Sequence, residues 1–208
     1  NRWEASQQLA LQEIRAVQAS ASIDKTDSSW VINPALVDAY RSVMTDDGLD
    51  PAMVAYMLTL PSEAYLSELS DVIDVDGIHH ARTRVRLALA SALEKEFHVI
   101  YCRYDHSQPY AADARGIAAR SLKNVALGYL CLLATPEYIG FAKHQFSVAN
   151  NMTDQFAALS QLVNCAAAAQ EAAEALTAFY EQWHHEALVV NQWFSVQAAS
   201  GLDGALAR

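Results

Sequence analysis

The chain has 208 residues, 52% hydrophobic and 18% charged, with 7 Gly and 5 Pro against 38 Ala. Turn-making residues thus stand at about half their usual share, roughly 7% Gly and 5% Pro in an average chain, which excludes a sandwich or barrel, while the apolar content excludes disordered, collagen-like and mucin-like chains. Fourteen Lys and Arg against 24 Asp and Glu give a net charge of −10, the wrong sign for a nucleic-acid partner bound through phosphates.

A helical pattern begins at once, with Trp3, Ala10, Ile14 and Val17 at three- and four-residue spacing. No Met precedes it, and the last residues follow a Gly201 to Gly204 break closely. The expectation is a piece of a longer protein, lacking sequence on both sides. Asn33-Pro34, Asp50-Pro51 and Thr135-Pro136 each offer an N-cap acceptor followed by Pro at the first helical position. Leu60-Pro61-Ser62-Glu63 marks a further start. Asp71, Asp74 and Asp76 precede a long helix expected over 77–105, with Val85, Leu89, Leu93, Phe97, Ile100 and Tyr104 as its buried stripe. Its run of Arg82, Arg84 and Arg86 places Arg82 and Arg86 on one face, with acidic residues nearby.

After a loop at Ser107 to Tyr110, the next helix has the broadest apolar face: Leu122, Val125, Ala126, Tyr129, Leu130 and Leu133. From Phe141 to Ser200 there is neither Gly nor Pro. Polar breaks at Asn150-Asn151, near Asn164-Cys165 and around His184 divide that stretch into about four helices. No segment alternates convincingly as a strand. About ten helices joined by short loops make an all-α chain of antiparallel neighbours, which either wrap into a globular bundle or, the reading preferred, stack as an irregular solenoid without an internal domain boundary.

The longest apolar run, Val125 to Ala134, is half of what a membrane span needs, and no leader or lipidation motif is present. Cys102, Cys131 and Cys165 are odd in number and lack a CxxC pair. They read as reduced thiols in a cytoplasmic protein without a membrane partner.

Candidate chemistry is sparse. His185-Glu186 begins an HExxH pattern, but Val189 stands where the second His belongs, and His79-His80 is followed by Ala81. His98, Cys102 and His106 recur every four residues, yet eight helical residues rise about 12 Å, too far for one ion. Asp74-Val75-Asp76-Gly77 resembles a calcium loop only locally, because Val72 and Thr83 occupy its first and twelfth positions. Capping explains these aspartates better. Glu94 and Glu96 face different ways, and no GxSxG, GxxxxGK[ST] or GxGxxG occurs. Trp3, Trp30, Trp183 and Trp193 read as packing residues rather than a ligand box. No residue of the chain is therefore expected to be catalytic, cofactor-binding or metal-ligating.

Four stretches are more specific: Asn1-Arg-Trp-Glu-Ala5, Arg120-Ser-Leu-Lys-Asn-Val-Ala-Leu-Gly-Tyr-Leu130, Asn150-Asn-Met-Thr-Asp-Gln-Phe-Ala-Ala-Leu-Ser-Gln-Leu-Val-Asn164 and Trp183-His-His-Glu-Ala-Leu-Val-Val-Asn-Gln-Trp-Phe-Ser-Val-Gln197. In order and spacing they resemble the C-terminal all-helical domain of the bacterial aminopeptidase N (alanyl aminopeptidase) family of zinc gluzincins. The resemblance implies an irregular right-handed superhelix of the HEAT/armadillo kind, one domain over 1–208, truncated at its C-terminal end. It implies an upstream catalytic domain as partner, zinc held there through HExxH and a downstream Glu, and short peptides as substrates. It also implies a lid that encloses the cavity without catalytic residues of its own. The alternative is a free-standing helical-repeat module that binds a protein or peptide; a small metal-binding enzyme using His98, Cys102 or His106 is a third option. On the residues alone, Asn151 or Thr153 caps a helix carrying Phe156, Leu159 and Leu162 inward. Trp183, Trp193 and Phe194 lock two successive helices together.

Overall fold

A computed structural model describes residues 2–21, 30–104 and 109–202. They form eleven α-helices and no strand: α1 (Arg2–Ala21), α2 (Pro34–Met44), α3 (Pro51–Leu58), α4 (Glu63–Glu68), α5 (Val75–Ala92), α6 (Glu94–Arg103), α7 (Ala114–Leu130), α8 (Pro136–Val148), α9 (Met152–Val163), α10 (Ala169–Trp183) and α11 (Ala187–Ala198). Short 3₁₀ turns follow α7 and precede α10.

Capping side chains set most of the starts. Asn33 accepts from the Ala35 amide at 2.9 Å, Asp50 from Ala52 and Met53, Ser62 from Tyr65, and Thr135 from Tyr138. Asp74 accepts from the Gly77 amide at 2.9 Å, so the calcium-like string is the cap of α5. The breaks expected at Asn150-Asn151, Asn164-Cys165 and His184 separate α8, α9, α10 and α11.

The single long helix expected over 77–105 is corrected to two, α5 and α6, meeting at Leu93. Leu93 leaves helical geometry at φ −121° and ψ 22°, yet its amide still bonds to Leu89 O and its carbonyl accepts from Phe97 N, both at 3.0 Å. The bend therefore forfeits little hydrogen bonding and lets the two halves follow different partners. α5 packs mainly against α1, with α4 and α7 beside it, whereas α6 packs mainly against α7. The inward stripe of Val85, Leu89, Leu93, Phe97 and Ile100 is buried throughout, while Tyr104 is only half-buried.

α7 is the hub, contacting α3, α5, α6, α8 and α9. Its face buries Leu122, Ala126, Tyr129 and Leu130, with Val125 and Leu133 half-buried at the margins. The Tyr129 ring stacks on Phe97 at 4.3 Å, and its hydroxyl donates to Leu58 O at 2.7 Å. One continuous apolar cluster runs from Ala10 in α1 to Val196 in α11. Among the described residues no helix is long and apolar enough to cross a membrane.

Candidate functional site

Two of the four distinctive stretches meet through a buried ion pair. Lys123 lies on the inner face of α7, one turn before Ala126 and Leu127. Its Nζ donates to Asp154 Oδ2 at 2.7 Å. Asp154 sits in the first turn of α9, where Asn151 accepts from its amide at 2.9 Å as N-cap. Asn124 donates to the other carboxylate oxygen at 2.9 Å, and Asn151 Nδ2 donates to Oδ2 at 3.1 Å. Gln145 of α8, fully buried, donates to Asn124 Oδ1 at 2.7 Å and to the Asp154 carbonyl at 3.0 Å. Burial alone would raise the Asp154 pKa. The hydrogen bonds of Lys123 and Asn151, the Lys123 charge and Asn124 outweigh it and hold the carboxyl below its ordinary value. A network with these members fixes α7, α8 and α9 in one register.

The network continues toward the fourth stretch. Gln155 of α9 donates to Gln182 at 2.8 Å and accepts from the Trp183 indole at 3.1 Å. Trp193 of α11 donates to Leu176 O of α10 at 2.9 Å, with its ring 5.1 Å from Tyr180. Trp183 and Trp193 thus join successive helices as the sequence suggests. Phe194 does not; it is 58% exposed.

Above the ion pair opens a cleft of about 1110 Å³, walled by the end of α6, residues 109–113, the start of α7 and the α8–α9 turn. Gly116 makes one wall possible: a Cβ there would lie 2.5 Å from Ala111 O, so only glycine lets the incoming segment run against α7 this closely. Arg120 donates to that same Ala111 carbonyl at 2.9 Å and spreads over the Tyr110 ring at 4.8 Å. Asp113 caps α7 through the Gly116 amide at 2.7 Å.

The remaining sequence candidates are scattered. His98 lies 3.7 Å from Glu137 and beside the Phe141 ring, Cys102 is exposed, and His106 lies outside the described residues. Among the described residues no three His, Cys, Asp or Glu side chains converge to hold a metal ion. Glu94 accepts from the Tyr138 hydroxyl at 2.6 Å and Glu96 from Arg41 at 2.7 Å, on different faces as read. Arg82 and Arg86 do share a face, but among the described residues they donate to carbonyls rather than to the nearby acids. Arg82 donates to Pro61 O at 2.8 Å and Arg86 to Gly128 O at 3.1 Å. Arg84 lies over Trp30 at 5.0 Å, and Trp3 stacks on Tyr56 at 5.0 Å. Burial, then proximity to Cys165, pushes the Cys131 thiol up to about 12, leaving it protonated at neutral pH.

The sequence reading missed Lys123, although a signal was present. At i, i+3, i+4 and i+7, Lys123, Ala126, Leu127 and Leu130 define an inward stripe, so a cation there requires a buried counter-charge.

Over residues 1–208 the chain matches the family described as "Domain of unknown function (DUF3458_C) ARM repeats". The chain belongs to this family. The match agrees with the all-helical solenoid. Within it, this DUF3458_C domain is 36% identical over 201 residues to aminopeptidase N of Escherichia coli (strain K12), covering 96% of the chain and 22% of that protein. It is 31% identical over 205 residues to aminopeptidase N of Haemophilus influenzae, covering 99% of the chain and 23% of that protein. A solved structure of Legionella pneumophila aminopeptidase A in complex with aspartic acid superposes with a TM-score of 0.80 at 29% identity, over 100% of the chain and 24% of its own. The resemblance to bacterial aminopeptidase N therefore extends over nearly the whole domain, which spans less than a quarter of those relatives' length.

Proposed function

We propose that this domain is part of the C-terminal lid and scaffold of a zinc-dependent aminopeptidase that removes N-terminal residues from short peptides. The catalytic domain lies upstream in the same polypeptide, and zinc and the reacting groups belong to it. The helical segment is a single structural unit that encloses the cavity and limits substrate access, in a cytoplasmic enzyme. The observation that carries this reading is the similarity over nearly all of the chain to proteins named aminopeptidase N, of which it spans less than a quarter.

Two features of the structure support it. The network of Lys123, Asn124, Gln145, Asn151 and Asp154 is spent on holding helices together, as a scaffold requires. The outer surface of α11 leaves Leu188 81% and Phe194 58% exposed, apolar area suited to covering by further sequence. The test is hydrolysis of an alanyl chromogenic substrate. The 208-residue chain is expected to release no product, with or without added zinc. A parent protein carrying an upstream HExxH domain is expected to turn over, and to lose its discrimination against long peptides when this segment is deleted. Zinc-dependent turnover by the 208-residue chain would overturn the proposal.

A further inference from the structure

The cleft above the ion pair has an uneven balance of donors and acceptors. In a chain of net charge −10 with 14 basic residues, it gathers four of them: Arg103, Arg115, Arg120 and Lys123. Its carboxylates are already engaged. Asp50 caps α3, Asp113 caps α7, and Asp154 is held by Lys123, Asn124 and Asn151. The guanidinium groups are not matched in this way. Among the described residues Arg103 pairs with the 90% exposed Asp47 at 3.6 Å and with no other carboxylate. Arg115 is exposed and makes no hydrogen bond or ion pair among the described residues. Tyr104 and Tyr110 add aromatic surface to the same wall. The volume, about 1110 Å³, is slightly above the range of small-molecule sites, roughly 300 to 1,000 Å³.

We infer that this cleft is a binding site for a small organic carboxylate with a flat apolar body, its carboxylate held by Arg115 and Arg103 and its body laid against Tyr110. A guanidinium offers two parallel N–H donors that match the two oxygens of a carboxylate. The Tyr110 ring, already covered on one side by Arg120, provides a stiffened surface for stacking. The site lies within this chain and does not depend on the proposed upstream domain.

Calorimetric titration of the 208-residue chain at low ionic strength tests the inference, with hippurate, the neutral hippuramide and inorganic phosphate as probes. Saturable hippurate binding is expected, with a dissociation constant on the order of 1 mM or tighter. Hippuramide is expected to bind at least about tenfold more weakly, as is hippurate to Arg115→Gln, while Arg115→Lys recovers part of the loss. Circular dichroism of both variants should match the parent chain, because the exposed Arg115 makes no hydrogen bond or ion pair among the described residues. Backbone amide resonances that shift on hippurate addition should centre on residues 103–120. Equal binding of hippurate and hippuramide, no saturable heat, or unchanged affinity in Arg115→Gln would overturn the proposal. So would equally tight binding of phosphate, since the cleft would then read bare charge.

Discussion

Lys123 Nζ and Asp154 Oδ2 lie 2.7 Å apart with their side chains only 4% and 5% exposed, the most deeply buried opposite charges among the described residues. The pair joins the hub helix α7 to α9 across two loops, so each charge depends on the other for its solvation.

Removing one partner should therefore cost more than removing both. Asp154→Asn leaves the Lys123 ammonium buried without its counter-charge and is expected to destabilise the chain by about 3–5 kcal/mol. Lys123→Met alone should cost a similar amount. The double variant Lys123→Met/Asp154→Leu should be less destabilised than the sum of the singles, because neither charge is stranded. Urea unfolding of the four proteins measures the coupling; strict additivity would refute it.

The same carboxylate sets an acid limb. Its folded pKa is held below its ordinary 3.8. Its contribution to stability is thus fully present above the unfolded value and is lost as pH falls through the folded one. The gap in stability between the parent chain and Asp154→Asn should be flat from pH 7 to about 5 and shrink below about 4. Urea midpoints from pH 7 to pH 2.5 provide the comparison. A gap that widens on acidification would contradict the assignment.

Gly116→Ala should reverse the usual sign of its class. Within a helix, Gly to Ala ordinarily stabilises by about 1 kcal/mol. Here the new Cβ would sit 2.5 Å from Ala111 O and 3.1 Å from Arg120 Nη1, the two atoms of a hydrogen bond. The expected result is a net loss of about 1–3 kcal/mol in thermal unfolding, with altered Tyr110 fluorescence as the loop lifts. Stabilisation would show that the wall yields freely.

Ala134 is the complementary case. At φ 51° it is the one non-glycine residue described with a left-handed backbone, in the exposed turn between α7 and α8. Ala134→Gly removes the steric cost of that conformation, about 1–2 kcal/mol, against a smaller gain in unfolded-chain entropy. A net stabilisation of roughly 0.5 kcal/mol is expected from urea midpoints.

The helical fold and most of its starts were legible because caps act locally: Asn33, Asp50, Asp74 and Thr135 each bond within three residues of themselves. The breaks at Asn150-Asn151 and His184 were legible for the same reason. The Leu93 bend was not, since no Pro, Gly or capping side chain marks it, and it arises from α5 and α6 serving different main neighbours. The cleft was hidden as well. Its arginines are far apart in sequence from the α8–α9 turn that faces them, and only tertiary packing shows which carboxylates are already engaged. Three of the four stretches that carried the family resemblance hold α7, α9, α10 and α11 together, which gives the resemblance a mechanical basis.

Arg86 adds a constraint on motion. Burial, partly offset by the Tyr129 phenol and reinforced by Arg82, lowers its pKa, and its guanidinium is seated between Gly128 O and the Tyr129 ring without a carboxylate among the described residues. Gly128 leaves the space, since a Cβ there would lie 3.2 Å from Arg86 Nη2. Sliding α5 along α7 by one turn, about 5.4 Å, would move the cation off the Gly128 carbonyl and the Tyr129 ring, its partners among the described residues. This seam therefore behaves as a detent. Hinge bending at other helix pairs therefore costs less than shear between α5 and α7, which strips the cation of these two partners.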